Sequence, residues 1–403
     1  MIKVAKFGGS SCASAEQFRK VKDIVLSDKS RHYIVVSAPG KRASGDTKVT
    51  DLLYRLQDAV ADEKKFQETL QTIKDRYQEI IDGLGLDFSL AADFDRIEQD
   101  LKAGADRDYA ASRGEFLNAK LMAAYLGFSF IDSASCFVFK EDRSCDYQKT
   151  EEGIRAALKD IDYAVFPGFY GANEKGEVVT FSRGGSDVTG SLIAAAEHVD
   201  LYENWTDVSG FLVADPRIVP NPEVIDYITY RELRELSYMG AGVLHEDAIF
   251  PVRREGIPIQ IKNTNRPEDH GTLIVQNTLK KPRFIITGVS GKKDFCAINI
   301  EKAMMNSEIG FARKLLSVLE DNNISFEHIP SGIDTMTLVI HQEELEHCEQ
   351  KILNGIQRAV NPDLIELESD IALIAVVGRG MKSSRGVAGR VFSALAHEYI
   401  NIK

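Results

Sequence analysis

The sequence has few cysteines, and their spacing suggests neither a disulfide framework nor a zinc site. The five cysteines are widely scattered, odd in number and without a CxxC pair: Cys12, Cys136, Cys145, Cys296 and Cys348. Such a set favours a reduced, cytoplasmic setting. The first residues, MIKVAKFGGS, predict a strand followed by a turn rather than a signal peptide.

Long apolar runs and an excess of positive charge are also absent. No stretch is apolar for long enough to span a membrane, so we expect no membrane partner. The formal net charge is −12, without a polybasic run, which argues against nucleic acid as a partner. The eight histidines show no metal-ligand spacing, and we expect no metal site built from protein ligands.

The length of the chain and its order of apolar segments predict an α/β protein of more than one domain. At 403 residues it exceeds one ordinary core. Strand-like segments (KVAKF, HYIVVSA, FSFID, YAVFPGFYG, VVTFS, DLYENWTD) are interspersed with helical ones, which dominate between Thr50 and about Leu126. GIPIQIKN and GTLIVQN close this domain, and LKKP predicts a linker that ends it at 282. The alternation predicts a mainly parallel sheet covered by helices on both faces, with ligands beyond the carboxyl ends of its strands.

A short internal repeat follows the linker. Aligning Gly310 with Gly386 without a gap also pairs Ala312 with Ala388, Ser317 with Ser393, Leu319 with Leu395 and Ile324 with Ile400. Each copy predicts a strand, a loop ending in glycine, an amphipathic helix and a further strand. We therefore expect a duplicated module over 283–403, with its second copy incomplete where the sequence ends in NIK.

The segment KFGGSS leads from the first predicted strand into a paired-glycine turn. Glycines let the backbone approach a polyphosphate, and the ammonium group of Lys6 can neutralise charge on a transferring phosphoryl group. We expect Lys6 to be exposed at the strand end. The alternative is a tight turn with a solvated lysine, because the spacing is not that of a P-loop.

Two further segments offer charged groups near predicted helices. In TFSRGGSDVTG, bare glycine before an apolar helix suggests an anionic ligand, and Arg183 strengthens this, whereas Asp187 argues against a simple phosphate cradle. The alternative is a plain turn. SRGEFLNAKLMAA predicts Glu115 at the start of a helix, where a carboxylate normally compensates the helix dipole. Functionally, Glu115 can hold a substrate ammonium group.

The segment ENWTDVSGFLVADPRIVP places polar groups between apolar strand residues. Thr206 and Asp207 can hydrogen-bond a nucleotide, and Arg217 can reach its phosphates. The alternative is a hairpin or loop in which Asp215 and Pro216 set a turn.

Five segments in their order along the chain resemble the aspartokinases of the amino-acid kinase superfamily: KFGGSS, SRGEFLNAKL, PGFYG, SRGGSD and WTDVSGFLVADPRIVP. The resemblance covers essentially the whole chain. It implies a three-layer αβα kinase domain over 1–282. It also implies ferredoxin-like βαββαβ ACT modules over 283–403. The implied reaction is ATP-dependent phosphorylation of the side-chain carboxylate of L-aspartate to 4-phospho-L-aspartate and ADP. This reaction is the first step towards lysine, threonine and methionine.

The same resemblance implies roles for individual residues. Lys6 and Asp187 would be catalytic, with Asp187 positioning Lys6 and the substrate amino group. Arg183 would clamp the α-carboxylate of aspartate. The other residues on the aspartate side would be Thr50, Glu115 and Phe169. Those on the ATP side, where Mg²⁺ would accompany the nucleotide, would be Lys6, Gly8, Gly9, Ser10, Ser37, Thr206, Asp207, Asp215 and Arg217.

This sequence departs from the usual family pattern at several points. It has FGGSS for FGGTS, which keeps a hydroxyl at Ser10, and GGSDVTG for GGSDTTA. Leu212 stands where a nucleotide-contacting tyrosine is common, and Gly242 where a lysine often occurs. The last two departures bear on nucleotide contact rather than on phosphoryl transfer.

For the repeated tail, the resemblance implies feedback inhibition and a homodimer, or a dimer of dimers, joined through ACT modules. Lysine is the first expected effector, with threonine assisting it or methionine as the alternative. We expect the effector between the loop Met305 to Gly310 and a strand from Ser325 to Gly332. The expected contacts are Met305, Ser307, Glu308, Ile309, Gly310, Ser325, Glu327 and Ser331. Glu327 offers a carboxylate to an ammonium group, although it can equally be a solvated strand residue.

Two other functions fit the same motifs. A different amino-acid kinase, for example one acting on glutamate, would have the same fold, but the ACT-like tail and SRGE favour aspartate. A catalytically silent amino-acid sensor would lack Lys6 or Asp187, and both are present. At this length we do not expect a fused homoserine dehydrogenase.

Overall fold

The computed structural model describes residues 1–182, 184–240, 244, 246–278 and 283–403. Three sequence features, Arg183, Gly242 and the predicted linker 279–282, therefore lie outside the described residues. The described residues contain no helix long and apolar enough to cross a membrane. All five cysteines are thiols without a disulfide, and three of them are buried.

The predicted strand segments occur in the expected order, but two short strands, Val138–Phe139 and Tyr227–Thr229, were not predicted. In chain order the strands are β1 (Lys3–Phe7), β2 (Arg31–Val36), β3 (Ser129–Phe130), β4 (Val138–Phe139), β5 (Ala164–Pro167), β6 (Tyr170–Asn173), β7 (Val178–Thr180), β8 (Leu201–Thr206), β9 (Tyr227–Thr229), β10 (Ile259–Asn263), β11 (Thr272–Val275), β12 (Gly288–Glu301), β13 (Thr335–His341) and β14 (Leu364–Val377).

Within the described residues, the α-helices are α1 (Ala15–Ser27), α2 (Val49–Asp58), α3 (Glu63–Leu84), α4 (Ala91–Lys102), α5 (Arg107–Leu126), α6 (Tyr147–Leu158), α7 (Gly185–Ala196), α8 (Tyr230–Tyr238), α9 (Glu246–Arg254), α10 (Phe311–Glu320), α11 (Gln342–Leu345), α12 (Glu349–Val360) and α13 (Val387–His397). Packing divides the described residues into two compact units. The first contains Met1–Ser237, Gly242–Gly288 and Val377–Lys403, and the second contains Tyr238–Ala241 and Val289–Val376.

The first unit is built on an eight-stranded sheet in the order β3-β5-β2-β1-β8-β10-β11-β9. All neighbouring strands in it are parallel except β10 and β11. The prediction of a mainly parallel α/β sheet is thus confirmed. Central strands such as β2 are apolar at successive positions and buried on both faces, as expected where helices cover both sides. A separate small sheet, β4-β6-β7, stands beside the large one.

The start of α5 differs from the sequence prediction. The helix begins at Arg107, where the Asp106 side chain accepts a hydrogen bond from the backbone N–H of Tyr109. An N-cap aspartate satisfies one of the unpaired donors of the first turn, so the helix starts two turns before Glu115. The prediction that Glu115 lies at a helix start is therefore wrong: it is 5% exposed in the middle of α5.

The second unit has one antiparallel sheet, in the order β13-β12-β14, with α10 and α12 in its core. This is the predicted βαββαβ order with one difference. The segment Ser325–Gly332 is no regular strand, and it meets β13 only through bridges at His328 and Ser331. Pro330 lies between these bridges and has no N–H to donate, which interrupts a ladder.

The two copies of the repeat share their helix start. Gly310 and Gly386 are the N-caps of α10 and α13, with φ of 80° and 78°, in the left-handed region that glycine adopts without strain. Of α13, only Val387 is buried, whereas Phe311, Leu315 and Leu319 of α10 are buried. Residues 377–403 pack with the first unit, so a paired regulatory region beginning at 283 stays a prediction.

Candidate active site

The predicted kinase residues lie where the carboxyl ends of the central parallel strands meet the start of α7. Lys6 is near the end of β1, Thr206 ends β8, and Ser37 and Phe169 follow β2 and β5. Asp187 is in the first turn of α7. Because parallel strands end at the same edge of a sheet, segments far apart in sequence converge there.

The centre of this region is an ion pair between Lys6 and Asp187. Lys6 Nζ lies 2.6 Å from Asp187 Oδ1, and the two side chains are 9% and 17% exposed. The prediction that Lys6 is exposed is therefore wrong. The side chain lies against α7, which covers the sheet face, and its buried charge is balanced by the carboxylate.

Glycines shape the start of α7 and the surroundings of Phe169. Gly184 caps the helix with φ 58°, and a Cβ on Gly185 would lie 2.4 Å from the Phe169 ring. Phe169 itself has φ 82°, a strained conformation for a residue with a side chain. Its backbone N–H donates to Thr189 Oγ1 at 3.0 Å, which ties this conformation to the helix.

Gly190, which stands where the family pattern GGSDTTA has its final alanine, has a steric reason in this chain. A Cβ on Gly190 would lie 2.7 Å from the Tyr202 ring, so the usual alanine does not fit. The Tyr202 hydroxyl then donates to the backbone oxygen of Asp187 at 3.1 Å. This glycine–tyrosine packing brings α7 close to β8.

The paired-glycine turn after β1 is held by backbone hydrogen bonds. The N–H of Gly8 donates to the Trp205 oxygen at 3.0 Å, and that of Gly40 donates to the Gly9 oxygen at 2.8 Å. A Cβ on Gly8 would lie 3.6 Å from Lys6 Nζ, in the space beside the ammonium group. Glycine thus keeps that space open, and Ser10 follows in a short 3-10 helix, Gly9–Cys12.

Helix α5 presents two buried polar side chains to the segment after β2. Asn118 Nδ2 donates to the Ser37 oxygen at 2.6 Å, and the Ser37 hydroxyl donates to Ser186 Oγ at 2.9 Å. Burial raises the pKa of Glu115 to about 7, against the hydrogen bond from the Ala38 backbone N–H, which lowers it. Glu115 Oε2 has no hydrogen-bond partner among the described residues. The site therefore holds a buried carboxyl oxygen that lacks a donor.

Thr50 lies in the first turn of α2. This helix packs against α5, which carries Glu115. Its first residue, Val49, donates its N–H to the Pro39 oxygen at 3.2 Å, in the same segment after β2 that Glu115 and Asn118 contact. Thr50 is therefore close in the fold to the aspartate-side residues, although no bond joins it to them among the described residues.

The predicted nucleotide-side residues are more open to solvent. Thr206 Oγ1 donates to Asp207 Oδ1 at 3.1 Å, and Asp207 is exposed. Arg217 pairs with Asp215 at 2.6 Å, with side chains 84% and 31% exposed, and this arginine lowers the pKa of Asp215. Leu212, in the same loop, bridges to Val224. The Asp215–Arg217 pair is local to this loop.

Sequence reasoning missed three residues of the site: Asn204, Asn118 and Ser186. Asn204 Nδ2 donates to Asp187 Oδ1 at 3.0 Å. The signal for Asn204 was an amide next to Trp205 in the predicted strand LYENWT, where an unpaired amide would be costly if the strand were buried. Asn118 gave a similar signal on the mostly apolar helix α5, whose residues are buried nearly all round.

The predicted effector residues are arranged on the second unit. Met305 and Ser307 are the first and last residues of a short 3-10 helix. Ile309 is 96% exposed, and Gly310 caps α10. Lys302 and Lys314 both pair with Glu308, at 2.6 and 2.5 Å, and lower its pKa. The loop carboxylate is therefore already neutralised by two ammonium groups.

The segment Ser325–Gly332 of the second unit carries the other predicted effector contacts. Ser325 donates both its N–H and its hydroxyl to Glu344 at 2.7 Å, and Ser331 Oγ donates to the Ile329 oxygen at 3.4 Å. Glu327 accepts a hydrogen bond from the hydroxyl of Tyr238, a bond that raises the pKa of Tyr238 to about 12. Glu327 is thus half-buried with a partner rather than solvated.

Comparison with known proteins gives the family. Residues 1–263 match the amino acid kinase family, and residues 374–403 match an ACT domain. The chain is 39% identical over 422 aligned residues to aspartokinase 3 of Bacillus subtilis, covering all of this chain and 92% of that one.

Solved structures agree with this comparison. Aspartate kinase of Clostridium acetobutylicum has a TM-score of 0.89 and 51% identity, covering all of this chain and 92% of that one. Escherichia coli aspartokinase III in complex with aspartate and ADP has a TM-score of 0.75 and 25% identity, covering all of this chain and 93% of that one. The same protein was also solved with lysine and aspartate. The chain therefore belongs to the amino acid kinase family, as one of its aspartokinases.

Proposed function

We propose that Lys6 and Asp187 form the centre of phosphoryl transfer from ATP to the side-chain carboxylate of aspartate. A carboxylate is ionised and nucleophilic at neutral pH, so the reaction needs no general base. Its obstacle is repulsion between that anion and the γ-phosphate of ATP, and catalysis therefore depends on positioning and on neutralising charge. The observation that carries the proposal is the buried Lys6–Asp187 pair next to the glycine turn.

In this proposal Lys6 supplies positive charge to the transferring phosphoryl group. Its pairing with Asp187 holds the ammonium group in one place, so little reorganisation is needed during the reaction. The opening beside Lys6 that glycine leaves at Gly8 supports the approach of a phosphate to this ammonium group. The backbone amides of Gly8, Gly9 and Ser10 are the further donors that we assign to the phosphates.

We assign the aspartate side to Thr50, Glu115, Phe169 and Arg183. The support from the structure is the buried Glu115 oxygen that lacks a donor, because a substrate ammonium group is the kind of donor that would satisfy it. Arg183, which lies outside the described residues, would clamp the substrate carboxylate through two parallel N–H···O bonds. The orphaned oxygen is thus a stronger indication of an amino-acid substrate than the fold alone.

We assign the nucleotide side to Ser37, Thr206, Asp207, Asp215 and Arg217. The described residues contain no cluster of three or more His, Cys, Asp or Glu side chains that could bind a metal. In kinases Mg²⁺ usually binds chiefly through the nucleotide phosphates, and we assign it to this side on that general ground. When bound, Mg²⁺ neutralises phosphate charge, and the protein residues then orient the phosphates beside Lys6.

For regulation, we propose feedback inhibition by lysine through the second unit, in a cytoplasmic homodimer or dimer of dimers. The support is the lysine complex of the Escherichia coli relative and the half-buried carboxylate of Glu327 on the second unit. Inhibition at a distance requires two states of the protein that the effector binds with different affinity. Threonine would assist lysine, and methionine is the alternative effector.

An assay of ADP release tests the substrate assignment. The wild-type protein is supplied with Mg·ATP and, in turn, with L-aspartate, D-aspartate, L-glutamate and N-acetyl-L-glutamate. We expect turnover with L-aspartate and little with the others, since the extra methylene of glutamate displaces the reacting carboxylate. Preferred turnover of glutamate would contradict the substrate. Lysine, threonine and methionine, added singly and in pairs, then test the regulatory part separately.

A further inference from the structure

Asn204 is a buried side chain directly before the family motif that begins at Trp205, and its amide bonds Asp187 of the Lys6–Asp187 pair. It is 4% exposed and lies on β8 beside Lys6 of β1, as its partner in the parallel register. Register partners on neighbouring strands project to the same face of the sheet. Both side chains therefore approach Asp187 of α7 from the same sheet face.

The two donors share a single oxygen of Asp187. Lys6 Nζ lies 2.6 Å and Asn204 Nδ2 lies 3.0 Å from Oδ1. Within the part of the chain that the structure describes, no donor bonds Oδ2. Two donors on one oxygen restrict rotation of the carboxylate, whereas the flexible Lys6 side chain alone would allow it to turn.

We propose that Asn204 is a positioning residue for phosphoryl transfer. Its amide holds the Asp187 carboxylate so that Oδ1 fixes the Lys6 ammonium group and Oδ2 is left to receive the substrate ammonium group. This inference rests on the roles proposed above for Lys6 and Asp187. Asn204 itself touches no reacting atom and acts only through Asp187.

A purely structural role explains Asn204 less well. Its side-chain oxygen, Oδ1, is buried without a hydrogen-bond partner among the described residues. A buried acceptor that lacks a donor lowers stability, so an apolar residue would serve packing in this strand better. The amide is therefore a feature that packing alone does not require.

The test compares Asn204→Leu with Tyr202→Phe in the full-length protein. Tyr202 lies two residues away on the same strand and also bonds Asp187, but at its backbone oxygen. We expect Asn204→Leu to lower kcat about 10- to 100-fold, as for loss of a hydrogen bond to a charged group, with the KM for ATP unchanged. We expect Tyr202→Phe to change kcat by less than about threefold, because the carboxylate keeps both donors. Equal effects of the two variants would overturn the proposal.

A double-mutant cycle separates positioning from a general loss of structure. Lys6→Met removes one of the two groups that Asn204 helps to position, so Asn204→Leu should lower kcat by a smaller factor in the Lys6→Met background than in the wild type. An additional loss as large as that in the wild-type background would overturn the proposal. If Asn204→Leu does not fold, Asn204→Ser is measured in the same cycle. It is smaller and too short to reach Asp187.

The outcomes also distinguish this inference from the proposed function. Full activity of folded Lys6→Met would remove the assigned role of Lys6, and the role of Asn204 with it. Loss of activity in Lys6→Met, together with normal kcat in Asn204→Leu, would leave the proposed function standing and reject only the role of Asn204. Circular dichroism and thermal unfolding of each variant establish that the folded proteins are compared.

Discussion

The two sides of the active site differ in how completely the protein builds them. On the aspartate side, Glu115 and its neighbour Asn118 are 5% and 0% exposed on α5, and Lys6, where the two sides meet, is 8% exposed on β1. On the nucleotide side, the side chains of Arg217 and Asp215 are 84% and 31% exposed and pair with each other on a loop. The protein itself holds the aspartate-side residues in place, whereas the exposed nucleotide-side residues must be positioned by the bound ligand.

This difference has consequences for both stability and catalysis. Buried charged groups interact strongly in a region of low polarity, so removing one affects folding and chemistry together. Exposed ion pairs contribute little to stability because water and salt screen them. Substitutions on the aspartate side should therefore have large effects on kcat and on stability, and those on the loop should have small effects, mainly on the KM for ATP.

The largest effect is expected from Lys6→Met, which keeps the volume of this buried side chain but removes its charge. Loss of a group that stabilises transition-state charge lowers kcat by about 100- to 1,000-fold. Lys3→Met is the matched control, because Lys3 is on the same strand and pairs with Asp28 and Glu203 away from the site. Steady-state kinetics should show that Lys3→Met affects stability and leaves kcat within about threefold. Near-normal turnover of folded Lys6→Met would contradict the expectation that substitutions of buried charged residues have the largest effects on kcat.

The next effect concerns Glu115, whose pKa in the folded protein is about 7 against an ordinary 4.5. Between these pH values the unfolded chain ionises this carboxyl while the folded protein keeps it protonated. The contribution of Glu115 to stability is thus present at low pH and is lost as the pH rises through 7. The stability of Glu115→Gln relative to wild type should therefore be greater at pH 8 than at pH 5, by on the order of 3 kcal/mol.

Urea unfolding at pH 5 and pH 8 measures this difference, and Glu235→Gln provides the control because Glu235 is exposed on α8. The same substitution should raise the KM for aspartate about 10- to 100-fold, since an ionised carboxylate holds the substrate ammonium group. In the wild type this KM should fall as the pH rises through 7. If wild type and Glu115→Gln showed the same change in stability between pH 5 and pH 8, and the same KM for aspartate at both pH values, Glu115 would lie outside the aspartate side.

The contrast between the two sides also explains what the sequence could predict. Alternating apolar segments predicted the parallel sheet, and the glycine-rich motifs pointed to the edge where its strands end, because both depend on local pattern. The burial of Lys6 and the position of Glu115 in α5 were predicted wrongly. The burial of Lys6 depends on which helix covers the strand ends, and no local pattern carries that information. The position of Glu115 follows from the helix start at Arg107, whose N-cap signal, Asp106, is present in the sequence but was not used.

The role of Asn204 shows the same limit. Its contact with Asp187 joins β8 to α7 through the register of β1 and β8, so it follows from tertiary pairing rather than from a motif. The repeat in the tail gives the opposite example. Its glycine-capped helix starts were visible in the sequence, since Gly310 and Gly386 adopt the same left-handed conformation. The burial of α10 and the exposure of α13 were not.

The smallest effect is expected from Arg217→Ala, on the exposed loop. Loss of one solvent-screened phosphate contact should raise the KM for ATP about 3- to 10-fold. The KM for aspartate and kcat should stay near their wild-type values. Stability should stay near that of the wild type, because the Asp215–Arg217 pair is exposed and local. Steady-state kinetics at varied ATP, together with urea unfolding, measure both quantities.

Arg231→Ala is the control for this loop substitution, since Arg231 is also exposed but lies on α8 rather than in the loop after β8. It should leave the KM for ATP unchanged. Raising the salt concentration should reduce the difference in the KM for ATP between wild type and Arg217→Ala. Salt screens the attraction between the exposed arginine and a phosphate, and the Debye length is about 10 Å at moderate ionic strength. A loss of kcat in Arg217→Ala comparable to that of Lys6→Met would mean that the loop closes over the reacting phosphoryl group. The nucleotide side would then be as fully organised during catalysis as the buried side is before it.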